Sequence, residues 1–141
     1  MNPRAVLDTN VLVAALRSRQ GASFALLSRL PKQQFQPVVS VPLMMEYADV
    51  LSRPGRVPVS ASAVEAVLDM VCRESLHQPI HFLWRPQLRD PKDDMVLEAA
   101  VNAQARYLVT HNLKDFAQGR FAGLAIVTPG QFLNLLDGVH P

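Results

Sequence analysis

Apolar and polar positions along the chain follow two alternating patterns. Short apolar runs predict buried strands, and longer segments with apolar residues every three or four positions predict amphipathic helices. Strands are predicted at 5–7, 37–41, 107–110 and 125–127. Helices are predicted at 11–16, 22–30, 42–51, 62–74, 92–105 and 129–136, with a short edge element at 79–83. Because strands alternate with helices, we predict an α/β fold with a parallel, Rossmann-like central sheet flanked by helices.

Capping residues and prolines indicate where several helices begin. Thr128 is expected to cap the last helix. Pro129 suits its first turn, where the missing amide hydrogen costs no hydrogen bond. Ser62 and Glu65 have the spacing of a capping box at the start of the fourth helix. No repeat, charge block or long linker divides the chain, so we predict a single domain over 1–141.

The composition is that of an ordinary globular protein. Hydrophobic residues make up 49% and charged residues 18% of the 141 residues, which permits a core without disulfides or zinc. Cys72, the single cysteine, lies in an apolar-patterned segment and is expected to be buried and inert. No apolar run reaches the ~18 residues of a membrane span, and an acid follows the first methionine too early for a secretory signal. We therefore expect a cytoplasmic protein with no membrane partner.

The net charge of +2 indicates little about nucleic acid by itself. The position of the basic residues is more informative, because most of them lie in predicted loops and at helix ends. This distribution fits either a solvated surface or a phosphate-binding rim. The residues concerned are Arg17, Arg19, Lys32, Arg53, Arg56, Arg85, Arg89, Lys92, Lys114 and Arg120.

Four carboxylates are predicted to meet at one edge of the sheet. Asp8 ends the first strand, Glu46 lies about one turn into the helix after the second strand, and Asp115 follows the third strand. Asp94 lies in the first turn of the helix that begins near residue 92. The carboxyl ends of parallel strands share one edge of the sheet, and ligands bind beyond that edge.

The same acids also have purely structural interpretations. Asp8 could cap the helix that follows it, and Asp115 could cap the turn in which it lies. Asp90, Asp93 and Asp94 flank a helix start, where acids favour the helix dipole. One or two of these three are therefore expected to act only as caps.

Carboxylates crowded at one edge repel one another and favour a cation between them. Hard oxygen ligands suit Mg²⁺ or Mn²⁺, which retain several waters and take one or two carboxylates each. Such a metal can activate a water for attack on a phosphodiester. The chain has no Walker lysine motif, no Gly-rich dinucleotide loop and no zinc-type Cys/His spacing. Metal-dependent phosphodiester hydrolysis is thus the catalytic function that these residues favour.

Four segments resemble the motifs of the PIN domain family, in the family's order. They are Val6-Leu-Asp-Thr-Asn-Val-Leu12, Met44-Met-Glu-Tyr47, Asp90-Pro-Lys-Asp-Asp-Met-Val-Leu-Glu98 and Leu108-Val-Thr-His-Asn-Leu-Lys-Asp-Phe116. The resemblance implies a PIN-like fold with four catalytic acids at a metal site, and four supporting polar residues. The acids are Asp8, Glu46, Asp94 and Asp115, and the supporting residues are Thr9, Asn10, Thr110 and Asn112.

The resemblance also implies an activity and partners. The nearest relatives resemble VapC-type bacterial toxins, which implies a Mg²⁺/Mn²⁺-dependent endoribonuclease that cleaves RNA. Such a protein is usually a homodimer and is inhibited by a small antitoxin protein. Many PIN domains have Asp where this chain has Asn112, so the fourth acid is expected to shift to Asp115 or to be weakened.

Three alternatives bear on this interpretation. A receiver domain needs an acidic pair after the first strand, and a haloacid-dehalogenase-type phosphatase needs Asp-x-Asp there. The chain has Thr9 and Asn10 after Asp8, which disfavours both. A catalytically weak PIN-fold module that binds RNA or protein stays open.

Overall fold

Parallel strands form the centre of the protein. A computed structural model describes residues 2–81, 90–116 and 123–138. In these ranges the strands are β1 (Arg4–Leu7), β2 (Gln36–Val39), β3 (Leu76–His77), β4 (Tyr107–Val109) and β5 (Ala125–Val127). Their order across the sheet is β3-β2-β1-β4-β5, and each neighbouring pair is parallel. The strand order therefore reverses between β1 and β4.

Helices connect these strands and flank the sheet. The described α-helices are α1 (Thr9–Arg17), α2 (Ala22–Ser28), α3 (Val41–Leu51), α4 (Ala61–Glu74), α5 (Pro91–Asn102) and α6 (Pro129–Leu136). Two short 3-10 helices lie at Leu30–Lys32 and Leu113–Phe116. The α/β class predicted from the alternation of strands and helices is confirmed, and most predicted boundaries agree to within a few residues.

The central strands are buried along their apolar residues. Residues 5–7 of β1 and 108–109 of β4 are at most 3% exposed. Continuous apolar strands are typical of parallel sheets that are covered by helices on both faces. Polar residues begin directly after these strands, at Asp8 and Thr110. The carboxyl edge of the sheet is thus the point at which the core gives way to polar side chains.

The edge strand lies a few residues earlier than predicted. Residues 79–81 of the predicted edge element form no strand, and 82–83 lie outside the described residues. The edge strand is Leu76–His77, which pairs with Val38 and Val39 of β2. A strand of two residues is too short for an alternating pattern, which is why the sequence did not reveal it.

Two predictions for α4 are also wrong. The helix begins at Ala61, and the hydroxyl of Ser60 accepts a hydrogen bond from the Ala63 N–H at 3.2 Å. Ser60 is therefore the cap, and Ser62 lies inside the first turn. Cys72 is exposed, because it follows the buried Val71 and successive helical residues point about 100° apart.

At the last helix the cap is as predicted. Thr128 accepts a hydrogen bond from the Gln131 N–H at 3.2 Å, and the Gln131 side chain accepts one from the Thr128 N–H at 2.9 Å. Pro129 occupies the first turn of α6, as its missing N–H allows. Among the helices described, none has the length and apolar character required to cross a membrane.

Candidate active site

Asp8 follows β1 directly, where the strand order reverses. Its N–H donates to the Val109 carbonyl oxygen at 2.9 Å, which holds the residue between β1 and β4. Asp8 occupies the N-cap position of α1, but its side chain makes no capping hydrogen bond. The carboxylate instead accepts a hydrogen bond from the Thr110 hydroxyl at 2.7 Å, and the residue is only 6% exposed. A helix cap therefore does not explain this acid.

Thr110 joins the segments that follow β1 and β4. Its hydroxyl, which donates to Asp8, also accepts hydrogen bonds from the Asn112 N–H at 3.0 Å and the Asn10 side-chain amide at 3.3 Å. The Asn10 amide oxygen in turn accepts from the His111 N–H at 3.3 Å. Three of the four predicted supporting residues thus form one network that orients the Asp8 carboxylate.

Glu46 reaches this edge because its neighbour Tyr47 fixes α3 against β1. The Tyr47 hydroxyl donates to the carbonyl oxygen of Leu7, the last residue of β1, and the residue is 1% exposed. Burial, and secondarily the charge of Asp8, raises the pKa of Tyr47 well above its ordinary value, so the hydroxyl keeps its proton. Glu46 is half-buried at the adjacent position on α3.

Asp115 is positioned by the 3-10 turn that follows β4. Phe116 at the end of this turn is completely buried and anchors it to the core. The Asp115 N–H donates to the Asn112 carbonyl oxygen at 3.1 Å, and the Asp115 side chain remains exposed. The loop after β4 therefore presents both a carboxylate and an amide at the edge of the sheet.

These segments surround an open cavity of about 600 Å³. Its acidic lining residues are Asp8, Glu46, Asp90, Asp93 and Asp115, and its basic lining residues are Arg17, Arg53, Arg56 and Lys92. Thr9, Asn10 and Asn112 also line it. Arg85, Arg89 and Arg120, which the sequence placed in the same basic group, lie outside the described residues.

The structure brings together three of the four predicted acids and places the fourth elsewhere. Asp94 does not line the cavity and is buried in α5, at 2% exposure. Asp93 lines the cavity in its place, together with Asp90, which is the N-cap residue of α5. Asp90 also caps α5, since its carboxylate accepts from the Lys92 N–H at 2.9 Å. From the sequence alone, Asp93 is one of three acids at a helix start of which one or two are expected only to cap the helix.

The acids of the cavity disfavour one another's charged forms. Burial raises the pKa of Asp93 to about 7, and the charges of Asp8, Asp115, Asp90 and Asp94 add to this effect. The pKa of Asp8 is also raised, mainly by burial, although the hydrogen bond from Thr110 acts in the opposite direction. A cation in the cavity would relieve this repulsion.

The donor set fits a hydrated Mg²⁺ or Mn²⁺ better than a fully protein-bound ion. Within the described ranges, no group of three acidic, histidine or cysteine side chains is arranged to hold a metal ion directly. Mg²⁺ keeps several of its waters and needs only one or two direct carboxylates. Carboxylates around a cavity of this size can bind such an ion partly through its waters, whereas Zn²⁺ prefers nitrogen and sulfur ligands.

Replacing Thr110 by valine tests the hydrogen-bond network. Thr110→Val keeps the shape of the side chain but removes the hydroxyl that donates to the buried Asp8 carboxylate. We expect the free energy of unfolding to fall by about 1–3 kcal/mol, the cost of an unsatisfied buried polar group. Urea denaturation in chelator measures this change, with Thr110→Ser as the control that retains the hydroxyl. Equal stability of the valine and serine variants would show that the network does not support Asp8.

Comparisons with known proteins agree with this architecture. The crystal structure of VapBC2 from Rickettsia felis, bound to a DNA fragment from their promoter, contains a similar fold, with a TM-score of 0.61 and 18% sequence identity. The superposition covers 89% of this chain and 98% of that one. No curated protein sequence matches the chain. The family model of the PIN domain matches residues 4–114, which include β1 to β4 and every acid at the cavity except Asp115, and the chain therefore belongs to the PIN domain family.

Proposed function

We propose that this protein is a Mg²⁺/Mn²⁺-dependent endoribonuclease that hydrolyses RNA phosphodiester bonds. PIN domains are generally nucleases, which supports the reaction class. The observation that carries the proposal is the group of carboxylates that line the cavity after β1 and β4 and at the start of α5, where Asp93 has a pKa of about 7. Acids that suppress one another's ionisation at neutral pH gain most from a divalent cation.

Asp8 and Asp93 are the proposed principal metal ligands, with Glu46 and Asp115 as further ligands, direct or through water. The metal would activate a water and stabilise the charge of an in-line attack on the phosphodiester. Thr110 keeps Asp8 oriented and favours its ionised form through the hydrogen bond at 2.7 Å. The Asp94 ligand role implied by the family resemblance passes to Asp93 in this proposal, because only Asp93 lines the cavity.

Asn112 and Asp115 share the fourth position. Both line the cavity, and they belong to the same loop after β4. The Asn112 side chain can hydrogen-bond a metal-bound water but adds no negative charge. Asp115, three residues later, supplies the carboxylate that many PIN domains carry at the position of Asn112. Its charge already acts on the site, since it raises the pKa of both Asp8 and Asp93.

A toxin role is the biological form of this proposal. The motifs resemble those of VapC-type toxins, and the fold is similar to one in the Rickettsia felis VapBC2 complex. We propose that the protein is the toxin of a type II toxin–antitoxin pair, acting in the cytoplasm as a homodimer and inhibited by a small antitoxin protein. The structural similarity supports the fold, and the sequence motifs support the proposed role as a toxin.

Metal-dependent cleavage of single-stranded RNA tests the proposed function. Purified protein is expected to cleave RNA with Mn²⁺ or Mg²⁺ and to lose all cleavage in chelator. Asp8→Asn should be inactive with a native-like far-ultraviolet circular dichroism spectrum. In cells, expression of the wild-type chain should slow growth and expression of Asp8→Asn should not. RNA cleavage that continues in chelator, or equally in Asp8→Asn, would refute the metal mechanism.

One observation favours the alternative, a PIN-fold module that binds RNA or protein with little catalysis. No three ligands within the described part of the chain are already grouped around one point. In this alternative the acids would bind a cation weakly and cleavage would be slow. The same assay separates the two functions, because a binding module would retain RNA under all metal conditions without shortening it.

A further inference from the structure

One side of the active-site cavity is cationic. Arg17 is the last residue of α1, and Arg53 and Arg56 lie just after α3. All three line the cavity that contains Asp8 and Asp93. The cavity of about 600 Å³ is within the range of small-molecule sites, roughly 300–1,000 Å³. It therefore has room for more than one hydrated cation.

The three arginines differ in how many hydrogen-bonding or ionic partners their side chains have within the protein. Arg53 forms an ion pair with Asp49 at 2.6 Å, which offsets its charge. Arg17 donates from Nε to the Arg56 carbonyl oxygen at 2.9 Å, which connects the end of α1 to the loop after α3. Within the described ranges, the other N–H groups of Arg17 and the whole guanidinium of Arg56 have no hydrogen-bonding or ionic partner. Arg56 is nevertheless half-buried.

We infer that Arg17 and Arg56 form a subsite for a backbone phosphate of single-stranded RNA, beside the phosphate that is cleaved at the acids. The ligand identity rests on the proposed nuclease function. A guanidinium group can donate two parallel hydrogen bonds to the oxygens of one phosphate. A backbone phosphate also carries the negative charge that would pair with the positive charges of Arg17 and Arg56. The Nε bond of Arg17 leaves its two terminal nitrogens available for such contacts.

This subsite explains how a polyanion can enter an acidic cavity. Without metal, the carboxylates at Asp8, Asp93 and Asp115 repel a phosphate. A phosphate at Arg17 and Arg56 binds the strand on the cationic side and brings the next phosphate to the acids. The two arginines should therefore determine the affinity for RNA even when no metal is present.

The test is RNA binding in chelator, where no cleavage occurs. Fluorescence anisotropy measures the Kd of a labelled single-stranded RNA for wild type, Arg17→Gln, Arg56→Gln and the double variant over several salt concentrations. Arg73→Gln, on the exposed face of α4 and away from the cavity, is the matched control. Each single variant should weaken binding about fivefold, the equivalent of ~1 kcal/mol for an exposed ion pair. The salt slope should decrease by about 0.7 per arginine.

Several results would overturn the inference. The inference fails if the wild-type protein does not bind RNA in chelator. It also fails if Arg56→Gln binds RNA as tightly as the wild type and the Arg73→Gln control do. Arg56→Gln is the critical variant, because within the described ranges the Arg56 side chain makes no hydrogen bond or ion pair that holds another segment in place. Displacement of the RNA by an equal concentration of inorganic phosphate would indicate a free-phosphate site instead. If the arginine variants behave as expected but Mn²⁺ never supports cleavage, the nuclease proposal fails and the subsite stands.

Discussion

Asp93→Asn is expected to reduce metal-dependent RNA cleavage by roughly 10²- to 10⁴-fold, whereas Asp94→Asn should retain most of it. A metal in such a site contributes several kcal/mol to the stabilisation of the transition state, and each 1.4 kcal/mol corresponds to a factor of ten. Asp93 lines the cavity and Asp94 does not. The measurement is kcat/KM on one single-stranded RNA at saturating Mn²⁺.

These two variants form a matched pair, because each removes one negative charge from the same turn of α5. Asp94 is buried, so Asp94→Asn also risks a loss of stability. Activities are therefore compared at a temperature at which circular dichroism shows both variants to be folded. A folded Asp94→Asn that loses as much activity as Asp93→Asn would return the ligand role to Asp94, as the family motif alone implied.

The choice between Asp93 and Asp94 shows where sequence reasoning reached its limit. The motif places both acids in the first turn of a helix, and adjacent helical positions point about 100° apart. The face that points to the cavity depends on how α5 rotates to bury Val96, Leu97 and Ala100. This rotation is a property of tertiary packing. The spacing of Asp90 and Asp93 was a usable signal, because an N-cap residue and the residue three positions later lie close together at the start of a helix.

The positions of the other acids followed more directly from the sequence. Asp8 and Asp115 come after apolar strands, and a parallel sheet necessarily brings the ends of those strands to one edge. The predicted position of Glu46 depended on where the helix after β2 begins. The observed start at Val41 agrees closely with the prediction. Strand direction therefore determines the location of the site before any side-chain detail is known.

The arginines were the least predictable part of the site. The sequence placed Arg17 and Arg56 at helix ends and in loops, which fits a solvated surface as well as a binding rim. Their common location depends on the contact between the end of α1 and the loop after α3, through the Arg17–Arg56 hydrogen bond at 2.9 Å. Contacts between segments 39 positions apart carry no local sequence pattern.

The contribution of Asp93 to the stability of the metal-free protein is expected to fall as the pH rises from about 4 to about 7. The pKa of Asp93 is about 7 in the folded protein and 3.8 at its ordinary value. Between these values the folded form retains a proton that the unfolded chain has released, so each step up in pH favours unfolding. Below this window both forms are protonated, and above it both are ionised and the destabilisation is constant. Because Asp93 is partly exposed, solvent screening reduces the effect to ~1–2 kcal/mol.

A divalent cation should restore the stability that the protein loses as Asp93 ionises, and Asp93→Asn should restore part of it without metal. At a hundredfold excess over its Kd, a metal that binds only the folded form adds about 2.7 kcal/mol, or roughly 10 °C in Tm for a domain of this size. At pH 8 in chelator, Asp93→Asn should melt a few degrees above wild type, because one repelling charge is gone, and its Tm should respond less to Mn²⁺.

Asp69→Asn, on the exposed face of α4 and outside the cavity, is the control and should melt and respond to Mn²⁺ like wild type. Thermal melts of the three proteins with chelator and with Mn²⁺, at pH 5 and pH 8, decide the matter. If Mn²⁺ raises the Tm of all three equally, the metal does not bind at Asp93 and the proposed site is wrong.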